Sequence, residues 1–105
     1  MYRVIFKHHP KEGQEEAFIK QWQKGSDIIQ TYTGARGTKL FREPTESGYL
    51  YAMADGESKD ARDKAIESIK TRPDAEEVLH KHEDYLESHT VLATFELIAE
   101  SNSPD

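Results

Sequence analysis

The chain has 105 residues, a length typical of one domain, of which 32% are charged and 35% are hydrophobic. Its net charge of −6, with no cluster of lysine and arginine, argues against a nucleic-acid-binding surface. The absence of cysteine excludes disulfides, thiolate nucleophiles and cysteine-based zinc sites.

These properties predict a cytoplasmic protein that has no nucleic-acid partner. No apolar stretch approaches the length of about 18 residues that a membrane-spanning helix needs, so we expect no membrane association. Residues 1–7 lack a long apolar core and a small-residue cleavage site, which predicts no signal peptide. Residues 1–100 are interpreted as one domain and residues 101–105 as a polar tail.

The first predicted elements are a strand and a long helix. Residues 2–9 are rich in strand formers and end at Pro10. Residues 14–31 predict a helix with acids in its first turn, where the helix dipole favours them. Its apolar stripe comprises Phe18, Trp22, Gly25 and Ile29. Because a glycine inside a helix costs about 1 kcal/mol relative to alanine, Gly25 is interpreted as a point of close approach to the sheet or to a ligand.

A hairpin and a second helix follow. Residues 35–43 and 49–55 predict two strands, and the segment between them has the composition of a turn. Ser58 is the predicted N-cap of the next helix, because its hydroxyl can accept a hydrogen bond from a free backbone N–H.

The last third of the chain predicts a broken helix and a final strand. Pro73 interrupts the second helix, and a further helical piece is predicted over residues 74–87. Residues 89–99 predict the last strand. The order strand, helix, hairpin, broken helix, strand is that of the ferredoxin-like α+β fold, in which helices cover one face of a four-stranded antiparallel sheet.

Both faces of the predicted strands one, three and four carry apolar residues. In the third strand, Tyr49, Tyr51 and Met53 alternate with Leu50, Ala52 and Ala54. A monomer would leave one sheet face exposed as a large apolar patch. We therefore expect a homodimer in which two sheets pack together, a dimeric α-β barrel.

Three segments carry a family resemblance. Phe18 and Trp22 form a Phe-x-x-x-Trp pair on the first helix, residues 34–40 read Gly-x-x-Gly-x-x-Leu, and residues 56–61 read Gly-Glu-Ser-Lys-Asp-Ala. Together these segments resemble the antibiotic biosynthesis monooxygenase domain family over nearly the whole chain. One departure is Gly56, which stands where the family usually has tryptophan.

The resemblance implies a dimeric α-β barrel and cofactor-independent oxygenation of an aromatic or quinol-type small molecule. A non-catalytic ligand-binding or stress-related protein on the same fold is the alternative, which the loss of tryptophan at Gly56 favours. Haem binding is a third hypothesis, because haem-degrading members share the fold and place their ligand histidine near His80 or His82. Two other elements of the haem site in those members are not matched here. Their tryptophan aligns near Ile69, and their asparagine on the first strand has no counterpart.

Two residues are the predicted catalytic groups. His82 lies on the apolar stripe of the third helical piece, where an imidazole could act as a general base or as a ligand. Tyr51 could assist it by hydrogen bonding to a substrate. The alternative for His82 is a histidine that is simply hydrogen-bonded in the core.

Further residues are predicted to bind the substrate. Aromatic side chains could line a pocket between helices and sheet, and an arginine could orient an anionic group. These candidates are Trp22, Tyr32, Tyr49 and Arg36. The alternatives are plain core packing for the aromatics and a surface ion pair for the arginine.

No metal site is predicted. His8 and His9 are adjacent in a strand and point to opposite faces, so they cannot easily chelate one ion. One of them could approach His89 if the first and last strands are neighbours, but solvated histidines at a sheet rim are the favoured interpretation.

Overall fold

A computed structural model describes residues 1–45 and 47–103. Within these residues, four strands, three α-helices and one 3₁₀ segment follow one another. In order they are β1 (Tyr2–Pro10), α1 (Glu15–Ile29), β2 (Ala35–Arg42), β3 (Leu50–Gly56), α2 (Lys59–Lys70), α3 (Pro73–His80), the 3₁₀ segment (Lys81–Tyr85) and β4 (Leu86–Glu96).

The strands form one antiparallel sheet in the order β2-β3-β1-β4. The two strands that are farthest apart in sequence, β1 and β4, are therefore neighbours, and Val4 of β1 lies between Ala54 and Thr94. The helices pack on one face of this sheet. The ferredoxin-like α+β fold predicted from the sequence is thus confirmed.

The core lies between α1 and the inner face of the sheet. Phe18 is fully buried there and packs with Leu50 and Leu86. Along β3 the buried positions are Leu50, Ala52, Ala54 and Gly56, which alternate with partly exposed residues. Three of these four inner residues are very small, so the inner face of β3 leaves space beneath the helices.

The start of α2 follows the sequence prediction. Ser58 has extended backbone angles and accepts a hydrogen bond from the backbone N–H of Ala61 at 3.1 Å. The predicted N-cap is therefore confirmed. Pro73 occupies the first turn of α3, where its missing N–H costs nothing.

The predicted helix over residues 74–87 is wrong at its C-terminal end. The α-helix stops at His80, and Leu86 already belongs to β4, where it pairs with Pro10. Leu86 has helical spacing from Leu79, but its burial comes from the sheet and from Phe18. Long-range pairing with β1 therefore overrides the local helical pattern, and β4 begins at residue 86 instead of the predicted 89.

The outer face of the sheet carries no helix in the described part of the chain. Ile5 pairs with Met53 on this face, and Lys7 pairs with Tyr51. Phe41 and Phe95 are 45% and 51% exposed. The expectation of apolar residues on both sheet faces is confirmed, and we call this surface the open face. Within the described ranges, no helix is both long and apolar enough to cross a membrane.

Candidate functional site

A cavity of about 210 Å³ lies between the helices and the inner face of the sheet. Its walls are mainly apolar, and several of them are aromatic or aliphatic side chains: Phe6, Trp22, Ile29, Leu79 and Leu86. A few polar groups converge on the same space: His8, Ser26, Thr38, Arg62, His82, Glu83 and His89. An apolar cavity with a few convergent polar groups is the usual form of a small-molecule site.

Gly25 allows the 3₁₀ segment to approach α1. A Cβ atom at this position would lie 2.8 Å from Leu79 Cδ2 and 2.9 Å from His82 Cε1. No side chain larger than hydrogen fits without displacing one of these groups. Gly25 is thus a point of close approach, but the prediction that the sheet or a ligand approaches it is wrong, because the approaching groups are the side chains of Leu79 and His82.

His82 is fixed by a hydrogen bond to α1. Its Nε2 lies 3.1 Å from the backbone carbonyl oxygen of Gln21. Because a carbonyl oxygen only accepts, Nε2 donates, and the lone pair of the neutral ring is on Nδ1. Burial lowers the pKa of His82, although the bond to Gln21 opposes this shift, and the charge of His89 adds to the lowering.

His8 is the most buried titratable group of the cavity wall, with only 8% of its surface exposed. Its ring lies 5.0 Å from that of Phe18 and 6.3 Å from that of His89. Burial, together with the charges of His89 and His82, lowers the pKa of His8 to about 4. The imidazole is therefore neutral at physiological pH.

The two ring nitrogens of His8 differ. Nδ1 is fully enclosed and has no hydrogen-bond partner among the described residues. Nε2 is therefore the nitrogen left to reach the cavity. The interpretation of His8 as a solvated histidine at a sheet rim is wrong, because β1 continues to Pro10 and is paired on both sides at residue 8.

Arg62 projects from α2 into the same cavity. Its Cζ atom lies 5.6 Å from the centroid of the Phe6 ring, a distance at which a guanidinium and an aromatic face attract each other. Burial lowers the pKa of Arg62, while Tyr2 and Asp63 act in the opposite direction.

Two of the six predicted site residues line the cavity, namely His82 and Trp22. The placement of Tyr51 and Tyr49 between helices and sheet is wrong. Tyr51 lies opposite Lys7 and Phe41 on the open face, because Leu50 and Ala52 occupy the inner positions of β3. A shift of one residue in a strand moves a side chain to the other face.

Tyr49 packs outside the cavity as well. The Nζ atom of Lys7 lies 4.0 Å from the centroid of its ring, and the His9 ring lies 4.7 Å away.

Tyr32 and Arg36 also lie outside the cavity. The hydroxyl of Tyr32 accepts a hydrogen bond from Arg72 at 3.2 Å. Arg36 is exposed and forms an ion pair with Glu57 at 3.1 Å. The expected pocket lining is therefore wrong for both residues, and any functional role for them stays a prediction.

Several cavity residues are not among the six predicted site residues, including Phe6, His8, Arg62 and His89. For Arg62 a signal was present, because Arg62, Ile66 and Ile69 have the spacing of one helix face. For Phe6 and His8 the signal was the period-two pattern of β1, which places both on the face of Val4.

The residues present do not fit a haem group. Nε2 of His82 is engaged with the Gln21 carbonyl, and His80 is exposed and lies 3.2 Å from Glu76. No group of three or more potential metal ligands converges anywhere in residues 1–45 and 47–103.

Comparisons with solved structures identify the fold. No protein-family model and no curated protein sequence matches the chain. A variant of SnoaB, a cofactor-independent oxygenase from Streptomyces nogalater, superposes with a TM-score of 0.77 at 14% identity, covering 99% of this chain and 97% of that one. An antibiotic biosynthesis monooxygenase matches with a TM-score of 0.73 at 11% identity over 94% of this chain and 100% of that one.

A NIPSNAP domain protein from Burkholderia xenovorans has a TM-score of 0.72 at 18% identity, with full coverage of both chains. At these identities the likeness shows the fold and not the reaction. The chain has the fold of the antibiotic biosynthesis monooxygenases, as the sequence resemblance implied.

Substituting Gly25 tests the contact between α1 and His82. Alanine normally stabilises a helix by about 1 kcal/mol relative to glycine. Here the added methyl group would meet Leu79 and His82 at less than 3 Å, so we expect Gly25→Ala to lower the free energy of unfolding by about 1 kcal/mol or more. Urea denaturation measures this, with the exposed neighbour Lys24→Ala as control. A more stable Gly25→Ala protein would contradict the contact.

Acid stability tests the burial of His8. Its pKa is 6.5 when unfolded and about 4 when folded, so between these pH values the unfolded state binds more protons and stability falls with falling pH. The contribution is at most about 3 kcal/mol. We expect His8→Leu to lose less stability than the wild type between pH 6.5 and 4, as measured by urea denaturation. The exposed His80→Gln serves as control; equal acid sensitivity in His8→Leu would disprove the burial effect.

Proposed function

We propose that this protein is a small cofactor-independent monooxygenase that oxidises an aromatic or quinol-type metabolite in the cavity between helices and sheet. The observation that carries the proposal is the pairing of an apolar, aromatic-walled cavity with two histidines, His8 and His82, whose charged forms are disfavoured by burial. The fold shared with SnoaB supports it.

The size and walls of the cavity favour a small planar substrate. An apolar cavity of about 150 Å³ is large enough to bind benzene, and this one measures about 210 Å³. It therefore has room for a substituted ring or a small fused system. Phe6 and Trp22 offer aromatic surfaces against which such a ring can stack.

His82 is the proposed general base. Its Nε2–H is held by the Gln21 carbonyl, so the lone pair on Nδ1 is available to take a hydroxyl proton from the substrate. The hydrogen bond to Gln21 also stabilises the protonated ring, because a cationic N–H donor forms a stronger bond than a neutral one. His82 can therefore accept a proton in spite of its burial.

Loss of the proton makes the substrate its own reductant. The quinolate anion is electron-rich and can transfer electrons directly to dioxygen. One oxygen atom then bonds to a ring carbon, the other leaves as water, and the quinol becomes a hydroxyquinone. The substrate supplies all four electrons that dioxygen accepts, two in forming the new carbon–oxygen bond and two in the oxidation of the quinol to the quinone, so no external reductant is needed.

His8 has a different part in this proposal. With a pKa of about 4 it is too weak a base to hold the proton at neutral pH. Its neutral ring can form a hydrogen bond with a substrate hydroxyl through Nε2. We therefore assign substrate orientation to His8 and proton transfer to His82.

We further propose that the protein is a homodimer formed through the open face. Phe41 and Phe95 are about half exposed there, and Ile5, Tyr51 and Met53 lie between them. A second copy of the same face would bury these apolar groups, which the helices of one chain do not reach. Tyr51 then belongs to the interface and not to the catalytic machinery.

A non-catalytic ligand-binding protein is the second candidate. The feature that favours it is Gly56, which stands where the resembling family usually has tryptophan, so one aromatic group beside α2 is lost. The same cavity would then hold a ligand without turning it over. A cytoplasmic location stays a prediction in either case.

Oxygen consumption tests the enzymatic proposal. With a panel of quinols, we expect the wild type to consume oxygen and to place one labelled oxygen atom in the product, as measured by mass spectrometry under isotopically labelled oxygen. His82→Leu should lower kcat by about 100-fold or more, the usual loss when a general base is removed. His80→Gln, which changes an exposed histidine on α3, is the matched control. A folded, dimeric wild type that oxidises none of the quinols would favour the ligand-binding alternative.

Light scattering tests the dimer. We expect a mass of twice the 12.1 kDa of one chain. Phe95→Glu places a charge within the proposed interface and should produce monomers, because an unpaired buried charge is strongly unfavourable. Lys64→Glu reverses an exposed charge on α2 and should leave the dimer intact. A wild type that runs as a stable monomer would refute the interface.

A further inference from the structure

Arg62 differs from the other arginines of the chain in its surroundings. Arg3, Arg36, Arg42 and Arg72 each lie within 4 Å of a carboxylate, namely Asp55, Glu57, Glu15 and Asp74. Arg62 has no carboxylate within this distance in residues 1–45 and 47–103, although it is partly buried. It is thus the one arginine whose charge lacks a partner in the described chain.

The nearest candidates for that partner are already engaged or uncharged. Asp63 follows Arg62 in α2, but its carboxylate accepts a hydrogen bond from Lys59 Nζ at 2.7 Å. Tyr2 is the largest of the electrostatic influences that oppose the effect of burial on the pKa of Arg62, but it is a phenol and not a carboxylate. Glu83 also lines the cavity, with its carboxylate 3.8 Å from Nε2 of His89. A partly buried guanidinium without a paired anion is costly unless a ligand supplies one.

The position of Arg62 relates it to the histidines. The Phe6 ring lies 5.6 Å from the Arg62 guanidinium and 6.0 Å from the His8 ring. All three groups line one cavity. A single planar molecule that lies along Phe6 can therefore present one group to Arg62 and another to His8.

We propose that the substrate is a hydroxy-aromatic carboxylate, whose carboxylate binds Arg62 and whose hydroxyl faces His8 and His82. This inference rests on the proposed function, because it names the substrate class of the same cavity. The planar guanidinium matches the two oxygens of a carboxylate with two parallel hydrogen bonds. Arg36, the arginine predicted from the sequence for this role, is exposed and engaged by Glu57.

Calorimetric titration of three related compounds tests the proposal without any mutation. Gentisate is a hydroquinone with one ring carboxylate, and methyl gentisate is its uncharged ester. Hydroquinone itself has no carboxylate. We expect the wild type to bind gentisate about 10- to 100-fold more tightly than the other two, the range expected for one hydrogen-bonded charge. Equal affinities for the three compounds would overturn the proposal.

Arginine variants then test which residue binds the carboxylate of the ligand. Arg62→Gln should weaken gentisate binding by about 10- to 100-fold and leave methyl gentisate unaffected. Arg62→Lys keeps the charge and the aliphatic stem, and it should lose less affinity, which also covers the case in which the glutamine variant folds poorly. Arg42→Gln removes an exposed arginine paired with Glu15 and is the control. Loss of the preference in Arg36→Gln, with Arg62→Gln unchanged, would overturn the assignment to Arg62.

The result can be separated from that of the oxygenase proposal because binding is measured without turnover. If gentisate binds through Arg62 but no quinol consumes oxygen, the substrate-recognition proposal holds and the enzymatic one fails. If hydroquinone and gentisate are oxidised equally and Arg62→Gln has no effect on either, the oxygenase stands and the carboxylate proposal fails.

Discussion

The contact between α1 and the 3₁₀ segment is the constraint on which the cavity depends. At Gly25 the helix backbone comes so close to Leu79 and His82 that a methyl group would not fit. One turn earlier, Gln21 provides two links: its carbonyl accepts from His82, and its side-chain amide donates to the carbonyl of Val78 at 2.5 Å. These contacts hold α1 against α3 and the 3₁₀ segment. The small inner side chains of β3 do not fill the space between the helices and the sheet. The cavity is the volume left between them.

The same arrangement explains why ionisable groups are tolerated in a small core. A chain of this size buries only about two-thirds of its unfolded surface. The cost of burying one uncompensated charge would therefore be a large fraction of its free energy of unfolding. His8 and His82 avoid most of this cost by staying neutral, which burial enforces through their pKa values. Arg62 cannot do so, and its stem and the Phe6 ring compensate only in part. A partly buried charge without an anionic partner is unfavourable for stability, and features of this kind concentrate at functional sites.

Much of the fold could be predicted because it follows from local patterns. The element order, the Ser58 cap and the apolar character of both sheet faces needed only spacing and residue type. The end of the third helix could not be predicted in this way, since Leu86 satisfies both a helical stripe and a strand, and pairing with Pro10 decides between them. Tyr51 was misplaced for a related reason: the alternating residues of β3 are apolar on both sides, so composition does not reveal which side faces the helices.

The candidate site was less predictable than the fold because its residues come from distant parts of the chain. His8 and His89 are register partners across β1 and β4, a relation that only the sheet order defines.

Strand β1 also connects the two proposed roles of the sheet. Phe6 and His8 project into the cavity, whereas Ile5 and Lys7 project from the open face. A second subunit on the open face would therefore restrain the strand that forms the cavity floor, so dimerisation and the geometry of the site depend on the same backbone.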